Sequence, residues 1–401
     1  LRERKETAKV RGRAAEVFTF HDFDGGTVLG DPAGKEQLLA GIQWRGLADS
    51  ASDINAHIGL HQAKTAAEAV AQHEGVISCS LAGVYVDKSH IAWIHGGRVP
   101  QNRAGWGPRP GWDLGDDPDI PFADWPKKFD PDEGYVASAN ERYPGWTAFP
   151  EPRYRHERQC ELLKGQHKLS PDDLLAISYD EYDGCAARLC AVWSDLVPET
   201  AKSMVAWAES QKAKNTGIGR VHMGRFHALH HELLVRLIEP FLGESVSKAL
   251  WDDLDMVLVL QDHLDDVLAL EHPEFLSKGA LKLLLAEAWP TAVGNARADQ
   301  VSGPIHARHK SLLTQGKLPA FAGFSSPPHY FPGGPTSLFA SRRNVLLGEE
   351  VITGPAFHMV IDMAVDGLRY NICGGASEKR FGPGYGTGLE AWLTGELEPL
   401  G

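Results

Sequence analysis

Residues 129–142 read Phe129-Asp130-Pro131-Asp132-Glu133-Gly134-Tyr135-Val136-Ala137-Ser138-Ala139-Asn140-Glu141-Arg142. A turn cluster, Asp130 to Gly134, leads into a short apolar stretch. Gly134–Ser138 has the composition of a strand, and it ends in three polar residues, Asn140-Glu141-Arg142. Taken alone, the asparagine is as well explained by a turn as by chemistry. What surrounds the stretch decides between the two.

Upstream the chain is β-rich. Glu16–Phe20 alternates like a strand, and His21-Asp22-Phe23-Asp24-Gly25-Gly26 forms a turn cluster. Lys35–Trp44 is extended and apolar, and Thr65–His73 is a short Ala-rich helix, the one helix expected in this part. Val76–Val86 and His90–His95 read as two buried strands joined at Asp87-Lys88-Ser89. His90 and His95 suit satisfied core or edge positions better than metal ligation. From Gly96 to Trp125 the chain is too irregular for regular elements. Its Trp106–Trp125 portion either lines a substrate cleft or covers a sheet edge.

Downstream the character changes. Arg155–Lys164 is an amphipathic helix, and Ser170-Pro171-Asp172-Asp173 is a helix start with Ser at the cap and Pro in the first turn. Helical periods follow at Leu174–Leu196, Glu199–Gln211, Arg225–Gly243, Ser245–Ala269 and Leu276–Ala288. After Pro304 strands return at Val345–Leu347, Ala356–Ala364 and Leu368–Cys373, before a last helix, Gly388–Thr394. The fold class is α+β, in three parts: β-rich 1–150, a mainly helical insert 151–300, and a β-rich return over 301–401. The two β parts are expected to share one sheet system.

Composition narrows the function. The chain has 401 residues, 40 Lys+Arg against 53 Asp+Glu, a net charge of −13 and 43% hydrophobic residues. It is a globular composition, and its acidic balance argues against nucleic acid as a partner. The uninterrupted apolar runs, such as Met256–Leu260, are too short to span a membrane. Five cysteines without CxxC spacing exclude a zinc ribbon or a dense disulfide framework, and Cys185 and Cys190 read as small core residues. GxSxG, Walker A, GxGxxG and HExxH motifs are all absent. Two clusters suit metal: His227 and His231 four apart on one helical face, and Asp262 with Asp266. A metal hydrolase would use these four residues, although solvated helix faces look the same.

Three passages taken in order resemble the penicillin acylase family of N-terminal nucleophile hydrolases. The first is the hairpin Val84-Tyr85-Val86-Asp87-Lys88-Ser89-His90-Ile91-Ala92-Trp93-Ile94-His95-Gly96-Gly97-Arg98-Val99-Pro100. The second is the 129–142 stretch, followed by the Arg155–Leu163 and Lys168–Asp180 helix pair. The third is the tail, Gly354 to Met363, Gly374-Gly375-Ala376-Ser377 and Ala391 to Leu400. The resemblance spans roughly Thr19 to Leu400. It implies part of an αββα sandwich with the helical region inserted, and a reaction in which an N-terminal serine hydroxyl attacks an acyl amide, its own α-amino group acting as base. Substrates would be β-lactam side chains, acyl-homoserine lactones or other N-acyl compounds; the alternative is a diverged, non-catalytic homologue that binds acyl compounds.

On this resemblance Asn140 holds the oxyanion and Arg155 is the active-site arginine, with Arg158 one turn on. Arg103 stands near the family's arginine after the hairpin proline, and His358 stands where arginine is common. Leu1 is not the serine nucleophile, and the tail motif is altered at Gly374–Ser377 and Gly382-Pro383-Gly384-Tyr385. The expectation is therefore a piece of a β chain, inactive alone, whose partners are the α chain and the N-terminal part of the β chain. No organic cofactor is implied. Calcium is bound at carboxylates in some members, and relatives are commonly periplasmic or secreted.

Overall fold

A computed structural model of the chain describes residues 1–9, 12–23, 26–29, 34, 40–43, 50–101, 118–143, 151–166, 168–211, 220–247, 254–295, 306–307, 329–330, 333–343, 351–365, 367–375, 377 and 382–400. The expected strand Val345–Leu347 and most of Lys35–Trp44 lie outside the described residues. The chain divides into two compact units. One is Leu1–Ser138 with Tyr143–Ala148, and the other is Ala139–Arg142 with Phe149–Gly401.

The first unit opens with an antiparallel sheet of β1 (Arg2–Ala8), β2 (Glu16–Phe23), β3 (Gly26–Leu29) and β4 (Ala40–Gln43). Two helices follow, α1 (Ser50–Gln62) and α2 (Ala66–Gln72), where one was expected. The sequence shows no core-facing stripe in α1: Ile54 and Ile58, four apart, are exposed, and the buried residue between them is the small Ala56. The Thr65 side chain caps α2, accepting the Glu68 N–H at 3.1 Å.

The expected hairpin is present as β5 (Leu81–Val86) and β6 (Ile91–Gly96), joined by β7 (Lys127–Phe129). Asp87 organises its turn. One carboxylate oxygen accepts the N–H groups of Ser89 and His90 at 2.7 and 2.8 Å, and the other accepts the Ala66 N–H at 2.8 Å, tying the hairpin to α2. Gly97 follows β6 at φ +126°, where a Cβ would lie 2.8 Å from the Cys79 carbonyl oxygen, so only glycine fits. His95 is buried beside Ser80, while His90 pairs with Asp130 on the surface. Trp125 settles its part of the irregular loop: it is 4% exposed, donates to the Ile120 carbonyl and packs with Ile94 and Val99 as a plug.

The second unit is built on helices α3 (Tyr154–Leu163), α4 (Pro171–Ser178), α5 (Gly184–Trp193), α6 (Lys202–Ser210), α7 (Arg220–Leu242), α8 (Leu254–Leu268) and α9 (Lys278–Asn295). The Ser170 start is a full capping box with Asp173, an arrangement that stabilises a helix by about 1 kcal/mol. The single helix expected over Leu174–Leu196 is instead two, α4 and α5, with a break in which Asp183 caps α5. Cys185 and Cys190 are fully buried there, as their core reading requires.

Trp193, Met204, Phe226, Leu233, Leu268 and Leu285 form the helical core, and Phe339, Leu389 and Trp392 from the last hundred residues pack into it. The C-terminal part carries β8 (His306–Ala307) and β9 (His329–Tyr330), β10 (Arg342–Arg343) and β11 (Val351–Thr353), and a sheet of β12 (Phe357–Asp362), β13 (Gly367–Ile372) and β14 (Glu398–Pro399). Helix α10 (Leu389–Thr394) lies between the last two strands in sequence. Among the described residues every sheet is antiparallel, and no strand of 1–150 pairs with one of 301–401, so the sheet system expected to be shared by the two β parts is not seen there. None of the helices among the described residues is long and apolar enough to cross a membrane.

Candidate active site

The expected strand Gly134–Ser138 does not form: residues 135–138 lie outside any strand and run into a bend at 139–140. Asn140 sits at that bend with φ +61°, a left-handed conformation that asparagine tolerates better than most residues. Its carbonyl accepts the Glu151 N–H at 2.8 Å, which brings the start of α3 alongside.

Arg155, in the first turn of α3, reaches back to this bend. Its Nη2 donates to the Ala139 carbonyl at 2.9 Å and to the Asn140 Oδ1 at 3.3 Å. Since the guanidinium takes the side-chain carbonyl, the Asn140 amide NH₂ is turned to the opposite side. Two carboxylates flank the pair: Glu151 Oε2 lies 3.6 Å from Arg155, and Glu141 accepts the Ala139 N–H at 2.7 Å. Burial lowers the Arg155 pKa from its ordinary value, and the Glu141 charge offsets part of this. The arginine remains the cation of the site. Sequence reading had passed over Glu151, although its i,i+4 spacing to Arg155 was a usable signal.

The other candidates stand elsewhere. Arg158 forks onto Asp180 at 2.8 Å and lies over the Tyr182 ring, a structural pairing. Arg103 lies outside the described residues. His358 points inward from β12, whose Phe357, Met359 and Ile361 point outward. Its Nδ1 lies 2.8 Å from the Tyr179 hydroxyl and 3.1 Å from Asn371 Oδ1, and Tyr179 in turn donates to the Trp392 carbonyl at 2.6 Å. This histidine joins β12 to the helices, and none of these contacts involves Asn140 or Arg155.

Burial lowers the His358 pKa, and the Asn371 hydrogen bond offsets only part of that. A histidine held neutral in the fold but free to charge when unfolded favours the unfolded chain as pH falls below about 6.5. The expected result is a loss of stability between pH 7 and pH 5 that His358→Gln reduces. Urea midpoints at the two pH values measure it, and equal slopes for both proteins would refute it.

The four residues proposed for a metal hydrolase do not converge. His227 Nε2 pairs with Asp183 at 2.8 Å, while Asp262 and Asp266 pair with Arg153, and Asp266 also with Arg188. His231 is on the same helix as His227, and its pKa is lowered by burial and by neighbouring His230. Among the described residues, the side chains close enough to share an ion are Cys185, His230 and Asp265. One carboxylate, one imidazole and one thiol do not suit calcium, which takes six to eight oxygens.

A sequence profile of penicillin amidases matches residues 1–401. The chain belongs to the penicillin amidase family. Two relatives are acyl-homoserine lactone acylases named QuiP. The one from Pseudomonas aeruginosa is 26% identical over 284 residues, covering 63% of this chain and 33% of the relative. The one from Pseudomonas putida is 28% identical over 272 residues, covering 63% of this chain and 32% of the relative. The match thus spans about a third of the length of these curated relatives. Among solved structures, a thermostable penicillin G acylase from Alcaligenes faecalis aligns over 100% of this chain and 78% of its own. Its TM-score is 0.70 at 16% identity. The likeness is one of fold, and this penicillin amidase chain shares that mixed helix-and-sheet fold.

Proposed function

We propose that this chain supplies the oxyanion-holding part of an amidohydrolase that cleaves linear N-acyl compounds, acyl-homoserine lactones first among them and β-lactam side chains second. In this reading the attacking serine hydroxyl comes from outside these 401 residues, at the N-terminus of a processed chain. The small sheets belong to an αββα sandwich completed by that part and by an α chain, and the enzyme works in the periplasm or outside the cell. As the serine adds to the acyl carbonyl, negative charge develops on the carbonyl oxygen. The Asn140 Nδ2–H donates to it, and Arg155 keeps the amide from turning over.

The observation that carries this reading is the Asn140–Arg155 pair. Asn140 is a left-handed asparagine whose Oδ1 accepts from a largely buried guanidinium, which supports reading it as the oxyanion donor that the motif resemblance implies. The two acyl-homoserine lactone acylases among its relatives favour the acyl-lactone substrate.

The test incubates the complete protein with N-octanoyl-homoserine lactone and with a phenylacetyl amide, and follows free amine and carboxylic acid. Homoserine lactone and octanoate in equal amounts are expected. Opening of the lactone ring with the amide intact, or no amine from either substrate, refutes the proposal.

A further inference from the structure

Cys185 on α5, His230 on α7 and Asp265 on α8 meet in the interior of the helical unit, all three within 7% of complete burial. Their ligand atoms lie within 4.8 Å of one another. Cys185 Sγ is 3.5 Å from Asp265 Oδ2 and 4.0 Å from His230 Nε2, and His230 Nε2 is 2.6 Å from Asp265 Oδ1. We propose that these three side chains form a binding site for a zinc-class divalent cation, which clasps the helices of this unit together.

The donor set is the first argument. One thiolate, one imidazole and one carboxylate are the ligand types of zinc, whereas calcium and magnesium take oxygen alone. The spacing is the second. Bonds of about 2.3 Å to sulfur and about 2.0 Å to nitrogen and oxygen, held at tetrahedral angles, separate sulfur from its neighbours by about 3.5 Å. The distance from sulfur to Asp265 Oδ2 already has that length, and the sulfur–nitrogen distance is slightly long. The short nitrogen contact runs to the other carboxylate oxygen, Oδ1, in a hydrogen bond that must open for either oxygen to share the ion with His230.

Charge is the third argument. A doubly charged cation with one thiolate and one carboxylate is neutral overall, which a fully buried site requires. Binding would release the Cys185 thiol proton, so that affinity falls as pH is lowered.

The groups around the site hold its ligands in place. Tyr154 from α3 donates to Asp265 Oδ2 at 2.8 Å, and Gln261 donates to the same oxygen at 3.3 Å. Phe226 stacks on the His230 ring at 5.6 Å and 8°, setting its plane. Outer contacts of this kind fix ligand orientation in metal sites. The stretches around His227–His231 and Asp262–Asp266 had suggested metal from sequence. The structure moves the site by one residue on each helix and adds Cys185.

The intact protein, freed of metal by dialysis against chelator, is titrated with cobalt(II) and then with zinc. A thiolate-to-cobalt charge-transfer band that saturates at one ion per chain and is bleached by zinc is expected. It should persist in Cys190→Ala and vanish in Cys185→Ser, and zinc at a hundredfold excess over Kd should raise Tm by about 5 °C in the parent protein and in Cys190→Ala but not in Cys185→Ser. Absence of the band, or its survival in Cys185→Ser, overturns the site. Should Cys185→Ser fail to fold, zinc-edge absorption of the parent protein decides. One sulfur neighbour at about 2.3 Å supports the site, whereas none, or more than one, refutes it.

Discussion

Replacing Asn140 with alanine is expected to lower kcat of the complete enzyme by about 10²–10³-fold while KM changes little, the cost of removing one oxyanion donor. The reason lies in when the contact is made. The ground-state carbonyl carries little charge, so the Nδ2–H donor acts chiefly as the tetrahedral intermediate forms. Asn140→Asp should be at least as damaging, because a carboxylate repels the developing oxyanion and pairs with Arg155 instead. Circular dichroism should be unchanged and Tm should fall by only a few degrees: the side chain is exposed and the bend is held by backbone contacts, but alanine at φ +61° costs about 1 kcal/mol relative to asparagine. A variant that kept kcat within threefold of the parent would remove Asn140 from the mechanism.

Asp183→Ala is expected to cost about 3–5 kcal/mol of stability, the scale for leaving a buried charge network unpaired. Asp183 is 0% exposed, and three elements depend on it. It accepts the Ala186 N–H at 2.9 Å as the cap of α5, accepts the Thr336 hydroxyl at 2.6 Å, and lies 2.8 Å from His227 Nε2. Burial by itself would raise its pKa, but His227 and the hydrogen bonds from Ala186 and Thr336 bring it below the ordinary carboxylate value. A depressed carboxylate contributes stability that is fully present above about pH 4 and is lost as pH falls through the folded value. Asp183→Ala should therefore blunt acid unfolding as well as lower the urea midpoint at pH 7. Asp172, which is 77% exposed and pairs with Arg369 at 2.7 Å, is the contrast, and its replacement should change little. A loss below about 1 kcal/mol at Asp183 would show that the network is dispensable.

What the sequence made legible follows the range of the forces involved. The start of α4 was readable because Ser170, Pro171 and Asp173 act on one another within a single turn. The α4–α5 break was not, because it rests on contacts across the chain. Tyr179 meets His358, Asp180 accepts the Phe339 N–H, and Asp183 meets Thr336. Gly134–Ser138 has strand composition but finds no ladder, and composition cannot supply a neighbour. The Asn140–Arg155 pair came from motif resemblance, whereas the hydrogen bond that orients the asparagine needed coordinates. The metal-ligating residues show the limit most sharply. Periodicity points to the same stretches of α7 and α8 as the proposed site, but a one-residue step is a rotation of about 100°, enough to bring His230 and Asp265 to Cys185 in place of His231 and Asp266.

The aromatic and hydrogen-bonded knot at the C-terminal end bears on how the protein is made. Tyr179 Oη bonds to the Trp392 carbonyl across 213 positions, and Trp392 and Phe339 fill the same core as Trp193 and Phe226. A ribosome delivers these partners some ten to forty seconds apart at about 5–20 residues per second. Once Asn295 has been made the helices through α9 are complete in sequence but incomplete in packing, with an apolar socket waiting for the indole. The packing of this unit is thus completed only once Trp392 has been made, so its assembly waits on synthesis of the chain between Tyr179 and Trp392.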